Sequence, residues 1–398
     1  MANSSREVWI TGIGIVSCLG EGGDAHWQRL MQAQPTADTK TLAPFVVHPL
    51  ASINFDTQIP KKGDQRQMEN WQRIGTYAAG LALDSARVKG NADVLSRMDM
   101  IVAAGGGERD LTVDSNILSG IRRATNPAAF LNERLMSDLR PTLFLAQLSN
   151  LLAGNISIVH GVTGSSRTFM GEESAGIDAV RIAHARIGAG QSDLALVGGS
   201  YNGERPDLLM LYEFAGLALK DKFVPVWERR NGKGGFAMAS LGAFLVLEAR
   251  EHAEKRGVRP LARLTSVVAD RANRKAGTIT QTLSRLWDRI KGSVDTKHAA
   301  ILSGATGANP ATAEERDFLE AHPDLAVRAT GTYLGHGLEP QFAINIALAT
   351  VALGHGSLFP PCDSTGLERR VDGELRQVVV TGVGHWRGEG LALVEVVR

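Results

Sequence analysis

The chain has 398 residues, with 43 Lys and Arg against 42 Asp and Glu, for a formal net charge of +1. So even a balance offers no field for nucleic acid or for a membrane surface. A hydrophobic content of 43% without any low-complexity tract indicates a globular chain, long enough for one large core or two fused halves.

Residues 1–6 carry no apolar run of the kind a secretory leader needs. The longest nearly apolar run, 342–353, falls short of the roughly 20 residues of a bilayer span. Cys18 and Cys362 are too few for a disulfide framework, and neither has a CxxC partner for a metal. A cytoplasmic protein with no membrane span, no metal and no cofactor is expected.

In chain order, residues 8–14 (Val8-Trp9-Ile10-Thr11-Gly12-Ile13-Gly14) read as a buried strand delivered to a glycine turn. The turn nearly matches a dinucleotide fingerprint, but it lacks the third glycine, and no acid stands at the expected distance. A 3.6-residue period predicts a helix over 72–86. Residues 101–107 read as a second strand ending in glycines. The stretch 164–176 then leads into a helix over 177–189 and a strand over 193–199.

Farther along, 247–256 has helical periodicity, and Gly257 with Pro260 marks a stop. Residues 301–307 echo 101–107, and 378–384 echo 8–14. The run 342–353 reads as a buried core helix. Alternating strands and helices predict an α/β fold, and the echoes suggest two similar halves, 1–259 and 260–398.

Several segments together resemble the β-ketoacyl-acyl-carrier-protein synthases, members of the thiolase-like condensing enzymes. The N-terminal strand resembles the family's V-x-I-T-G-x-G. The stretch Trp227-Glu228-Arg229-Arg230-Asn231-Gly232-Lys233-Gly234-Gly235-Phe236, followed by 243–248, resembles its D-x-x-R-D-G-F and L-V-L-E element. Leu358-Phe359-Pro360-Pro361-Cys362 resembles its L-P-P-T loop. The resemblance runs from Val8 to Val397. It implies a thiolase-like fold of five α-β-α-β-α layers in two similar halves, with the synthases' acyl carrier protein as a partner.

The departures fall on the chemistry. Where the resemblance places the nucleophilic cysteine, the chain has Glu173. The histidine that opens the H-G-T motif is replaced by Gly304, while Glu315 keeps the family's acidic position. The second motif survives as Gly331-Thr332-Tyr333-Leu334-Gly335-His336, with glycine for lysine but with His336 in place. The C-terminal oxyanion loop is matched by Gly384-His385-Trp386-Arg387-Gly388, where Trp386 and Arg387 replace small residues and crowd or recharge the pocket mouth. The cysteines are not credible stand-ins, and Ser174 lacks a G-x-S-x-G setting.

Glu173 admits three readings: a carboxylate favoured by a helix N-terminus, a general base, or a nucleophile. The last is poor for acyl transfer, because a carboxylate attacking a thioester gives a reactive mixed anhydride. The resemblance therefore implies a synthase homologue that has lost condensation. It would be similar to a chain-length factor, working as a heterodimer with an active synthase or as a homodimer. A working acyl-thioester enzyme using Glu173 and His336 (a malonyl decarboxylase, a hydrolase or an atypical synthase) and a binding module for acyl chains or carrier protein stay open. Arg66, the Arg122-Arg123 pair and the cluster Arg229, Arg230 and Lys233 are candidate contacts for an acidic carrier protein.

Overall fold

The computed structural model describes residues 5–140, 143–229, 235–371 and 373–397. Among the described residues, eleven strands form one continuous mixed sheet: the two-residue strand Gly20–Glu21 pairs only the end of the first, and the other ten lie in a row. In the first half these are β1 (Val8–Ser17), β2 (Asp99–Ala103), β3 (Ser166–Phe169), β4 (Leu194–Tyr201) and β5 (Leu241–Ala249). In the second half they are β6 (Ala262–Asp270), β7 (Ala299–Ser303), β8 (Ala326–Ala329), β9 (Gln377–Val383) and β10 (Glu389–Glu395).

The spatial order is β8-β7-β9-β10-β6-β1-β5-β4-β2-β3. Read outward from its centre, each half repeats one plan: first strand, fifth, fourth, second, third. In both, the three outer strands are parallel and the inner pairings antiparallel. The halves meet where β1 pairs β6 through Trp9 with Arg263 and Ile10 with Ala262. Under this plan the echo of 101–107 in 301–307 joins equivalent strands, β2 and β7. The echo of 8–14 in 378–384 joins β1 to β9, which are not equivalent, and so reflects shared strand chemistry only.

The helices complete the layers. α1 (Asn70–Ser85) and α2 (Leu151–His160) pack together on the first half. α3 (Glu172–Gly188) and α7 (Gln341–Gly354) touch each other and strands of both halves, so they form the middle layer. α5 (Thr278–Ile290) and α6 (Ala311–Glu320) cover the second half, and α4 (Pro206–Phe214) lies in the β4–β5 connection. The result is α-β-α-β-α, as expected.

The glycines of β1 serve packing. A Cβ on Gly12 would stand 2.4 Å from the Ala82 carbonyl oxygen, and one on Gly14 2.1 Å from that of Ala78, so α1 lies directly on the strand. Every residue over 341–350 is buried, which is why the run 342–353 reads as apolar on all sides. One expectation fails. Residues 247–249 belong to β5, and the helix that follows covers only Arg250–Lys255, because β5 stays fully buried and paired with β1 as far as Ala249. Among the described residues, no helix is long and apolar enough to cross a membrane.

Candidate functional site

The site gathers at the start of the middle-layer helix α3, beyond the carboxyl end of β3. Open α/β sheets place their ligand crevices at such ends. The chain leaves β3 through Gly171 at φ 111° and Glu172 at φ 46°. A left-handed glutamate costs on the order of 1 kcal/mol. A Cβ on Gly171 would fall 2.5 Å from an Arg387 guanidinium nitrogen, which that flexible side chain can vacate, so the glycine answers to its φ. After this sharp turn Glu173 points inward, and only 4% of it is exposed. The helix N-terminus favours its negative charge. Ser174 Oγ donates back to the Gly171 carbonyl at 3.0 Å, so it is a local brace.

His336 comes from the approach to α7, the counterpart of α3 in the second half. Its backbone is pinned in two places: its N–H donates to the Ala237 carbonyl at 2.8 Å, and its carbonyl accepts from Ala239 N–H at 3.0 Å. The imidazole is 1% exposed and lies 5.3 Å from the Phe236 ring. Its Nε2 and Glu173 Oε1 are 2.9 Å apart. The two residues that sequence reasoning singled out are therefore joined by a buried hydrogen bond across 163 positions of chain. Glu173 Oε2 and His336 Nδ1 have no partner.

Glu339 was not foreseen. It stands three residues after His336, is 4% exposed, and leaves Oε2 unpartnered. Its carboxyl packs where a Gly105 Cβ would be, 2.8 Å from Oε1, and its carbonyl lies 2.1 Å from the Cβ position of Gly176 on α3. Burial raises its pKa to about 7, and the nearby Glu173 and Glu172 charges push the same way. The sequence signal was a glutamate directly ahead of an all-apolar helix. That reads locally as an ordinary first-turn acid.

The loop 384–388 closes over the turn. Gly384 N–H donates to the Gly388 carbonyl at 2.8 Å. Arg274, also unforeseen, donates to the carbonyls of Gly384 at 2.6 Å and His385 at 3.0 Å and is ion-paired to Glu389. Trp386 is 45% exposed, with its ring 5.8 Å from Tyr212 and 6.5 Å from Phe236. Arg387 pairs with Glu172 at 3.3 Å. Burial lowers the pKa of His385, whose Nδ1 is unpartnered. The loop residues thus meet Glu172 and the aromatic wall.

Gly304 lies among Thr381 and Asn345. A Cβ there would sit 2.8 Å from the Thr381 carbonyl oxygen, so the backbone leaves no ready space for a side chain. Beneath it Glu315 is fully buried, accepts from Ser303 Oγ at 2.7 Å and from Thr381 Oγ1, and has its pKa raised by burial. Cys18 donates to the Tyr333 carbonyl at 3.3 Å, and burial pushes its thiol up to about 12; Cys362 is raised in the same way. Neither has the depressed pKa of a reactive thiol.

Of the basic candidates, Arg66, Arg122 and Arg123 are exposed. Arg229 is not a surface residue: it is 3% exposed and donates to the carbonyls of Val224, Gly235 and Thr306. A charge run in sequence says nothing about carbonyls that tertiary packing brings to it. Arg230 and Lys233 lie outside the described residues. Among the described residues, no group of three or more His, Cys, Asp or Glu is arranged to hold a metal ion.

Comparison with known proteins places this geometry. The 3-oxoacyl-[acyl-carrier-protein] synthase 2 of Vibrio harveyi is 25% identical over 272 residues, which cover 66% of this chain and 62% of that protein. The chain thus spans about three fifths of this relative's length. The ishigamide ketosynthase/chain length factor structure superposes with a TM-score of 0.79 at 18% identity, covering 99% of this chain and 100% of that one. A type II polyketide synthase acyl-carrier protein in complex with its ketosynthase bound to the hexaketide gives a TM-score of 0.74 at 19% identity over 99% of this chain and 100% of that chain. The beta-ketoacyl synthase N-terminal domain matches residues 5–253, and the chain belongs to that family.

Proposed function

We propose that this chain is a condensation-deficient member of its family. It would act as a chain-length-factor type of subunit in fatty acid or polyketide synthesis in the cytoplasm, on acyl groups carried by an acyl carrier protein. The reading rests on the 2.9 Å contact between His336 Nε2 and Glu173 Oε1. Decarboxylative condensation needs a thiolate to hold the growing chain and an imidazole N–H free to stabilise charge on a thioester oxygen. Here a carboxylate stands in the thiolate's place and occupies the imidazole. Glu172, Glu173 and Glu339 also surround the position with acid, and a malonyl carboxylate would enter against like charge.

The topology supports 1–259 and 260–398 as the duplicated units. The edge strand β3 supports a dimer. Ser166 and Arg167 are exposed, as are Met170 (65%), just past the strand, and Ile158 (72%) of α2. A bare edge flanked by apolar side chains suits a partner of the same fold, either an active synthase or a second copy.

The test is turnover of malonyl- and acyl-acyl-carrier-protein by the chain alone and by the chain with an active synthase. Alone, it should give no condensation, no decarboxylation and no acyl adduct by mass spectrometry. With the synthase, product chain length should change. Turnover by the isolated chain that disappears in Glu173→Gln would establish the working-enzyme reading instead.

A further inference from the structure

Arg229 is a buried charge without a counter-charge. Its Nε donates to the Val224 carbonyl at 2.8 Å, and its Nη1 to those of Gly235 at 2.9 Å and Thr306 at 3.1 Å. Among the described residues no carboxylate pairs with it, and its Nη2 has no partner at all. Burial alone acts on the guanidinium and lowers its pKa to about 9, so it is still charged at neutral pH. Taking such an ion out of water costs several kcal/mol, which native proteins ordinarily offset with an acid set against it.

Arg229 lines a cavity of about 360 Å³ between residues 226–229 and the start of α6. Gly307 ties its two buried sides together. The Gly307 N–H donates to Thr312 Oγ1 at 2.9 Å, and a Cβ on Gly307 would stand 2.5 Å from Arg229 Nη1. Thr312 Oγ1 accepts that bond, so its own hydrogen is left to donate. Thr312 is also the second residue of α6, whose N-terminal end favours negative charge. Val226 and Trp227, both buried, supply apolar surface. The acids of the lining, Asp317 and Glu320, are exposed to solvent, and Glu320 is held by Arg316 at 2.7 Å. With Asp317 nearby, a singly charged anion suits the place better than a dianion.

We propose that the cavity between residues 226–229 and the first turn of α6 binds a short organic carboxylate. One carboxylate oxygen accepts from Arg229 Nη2 and the other from the Thr312 hydroxyl, and the carbon chain lies against Val226 and Trp227. Nη2 has no open surface in the free chain. The guest reaches it by displacing the flexible Arg316 side chain from its long contact, 3.5 Å, with the Trp227 carbonyl. The site goes beyond the condensation-deficient reading and needs neither a partner subunit nor a carrier protein.

The experiment is calorimetric titration of the purified full chain with butyrate, butan-1-ol, n-butylammonium and inorganic phosphate near pH 7, where butyrate is ionised and Arg229 is charged. Butyrate should bind about tenfold more tightly than each of the others. Ala313→Leu changes an exposed position of the lining, narrows the cavity and leaves the buried hydrogen bonds alone, and it should weaken butyrate by about tenfold. Arg229→Met should abolish the preference for butyrate over butan-1-ol; if that variant does not fold, Ala313→Leu decides. Equal binding of butyrate and butan-1-ol, preference for the ammonium or for phosphate, no butyrate binding at millimolar concentration, or an unchanged affinity in Ala313→Leu would each overturn the proposal. None of these outcomes touches the turnover assays, so the two ideas fail separately.

Discussion

The two edges of the sheet share one plan and have opposite surroundings. On β2, Ile101 stands opposite Arg167 of β3; on β7, Ile301 stands opposite Val327 of β8. The next residues along the two edge strands are Thr168 and Arg328. Yet β3 is exposed or half-buried along its length, while β8 is buried throughout. The chain covers β8 itself: Arg328, 1% exposed, donates to the carbonyls of Phe359 at 2.7 Å, Val327 at 2.7 Å and Arg369 at 2.8 Å. Nothing among the described residues covers β3 in this way. The turns that follow differ likewise. β8 leads into a fully buried run, 329–340, whereas β3 leads into a half-open one, although each run holds one left-handed side chain, Leu338 at φ 55° and Glu172 at φ 46°. One half covers its edge with its own chain, and the other leaves its edge and the turn after it open, as the proposed assembly with a partner requires.

The largest test of this contrast compares arginines of the two edges. Arg328→Ala removes three hydrogen bonds, two of them fully buried, and strands their carbonyls, so it should cost about 3 kcal/mol or more in urea unfolding. Arg167→Ala, on the exposed edge, should stay within about 0.5 kcal/mol. Similar losses at both positions would mean that β3 is as integral to the fold as β8.

A second test addresses what the open edge is for. Ile158→Glu combined with Met170→Glu puts charge on side chains that already face solvent, so the isolated chain should unfold as before. Association with a synthase or with a second copy should weaken by about a hundredfold, the effect of losing an apolar anchor from an interface. Sedimentation of the variant against the parent chain reads it directly. An unchanged assembly would place the interface on another face.

Much of the frame could be read from the sequence because it is written in local patterns. The β-branched runs ending in glycine became β1, β2, β7 and β9, and the all-apolar stretch became α7. Glu173 and His336 were found through the motifs around them, but their mutual hydrogen bond was not, since it joins separate halves. Glu339 and Arg274 escaped because each looks ordinary beside its neighbours in sequence, and what sets them apart is burial by distant segments. The same cause works in reverse at Arg229, which reads as surface charge and is buried. At 247–256 periodicity misled, because a fully buried strand and a helix both present apolar runs.

The last test concerns the acid buried beside the open turn. Folding raises the Glu339 pKa from 4.5 to about 7, chiefly by burial. A carboxyl with a raised folded-state pKa binds its proton more tightly when folded. Its stabilising contribution is therefore complete below the unfolded value and is lost as pH climbs through the folded one. Between about pH 5 and pH 8 the native chain should lose up to about 3 kcal/mol from this group alone, less whatever local rearrangement relieves. Glu339→Gln removes the titration while keeping the shape. Its melting temperature should match the parent near pH 5 and exceed it near pH 8, where the parent carries an unpaired buried charge. A variant that is less stable than the parent at the higher pH would mean that the charged form of Glu339 is already neutralised by a partner inside the fold, and the open-turn half of the comparison would then be as self-sufficient as the covered one.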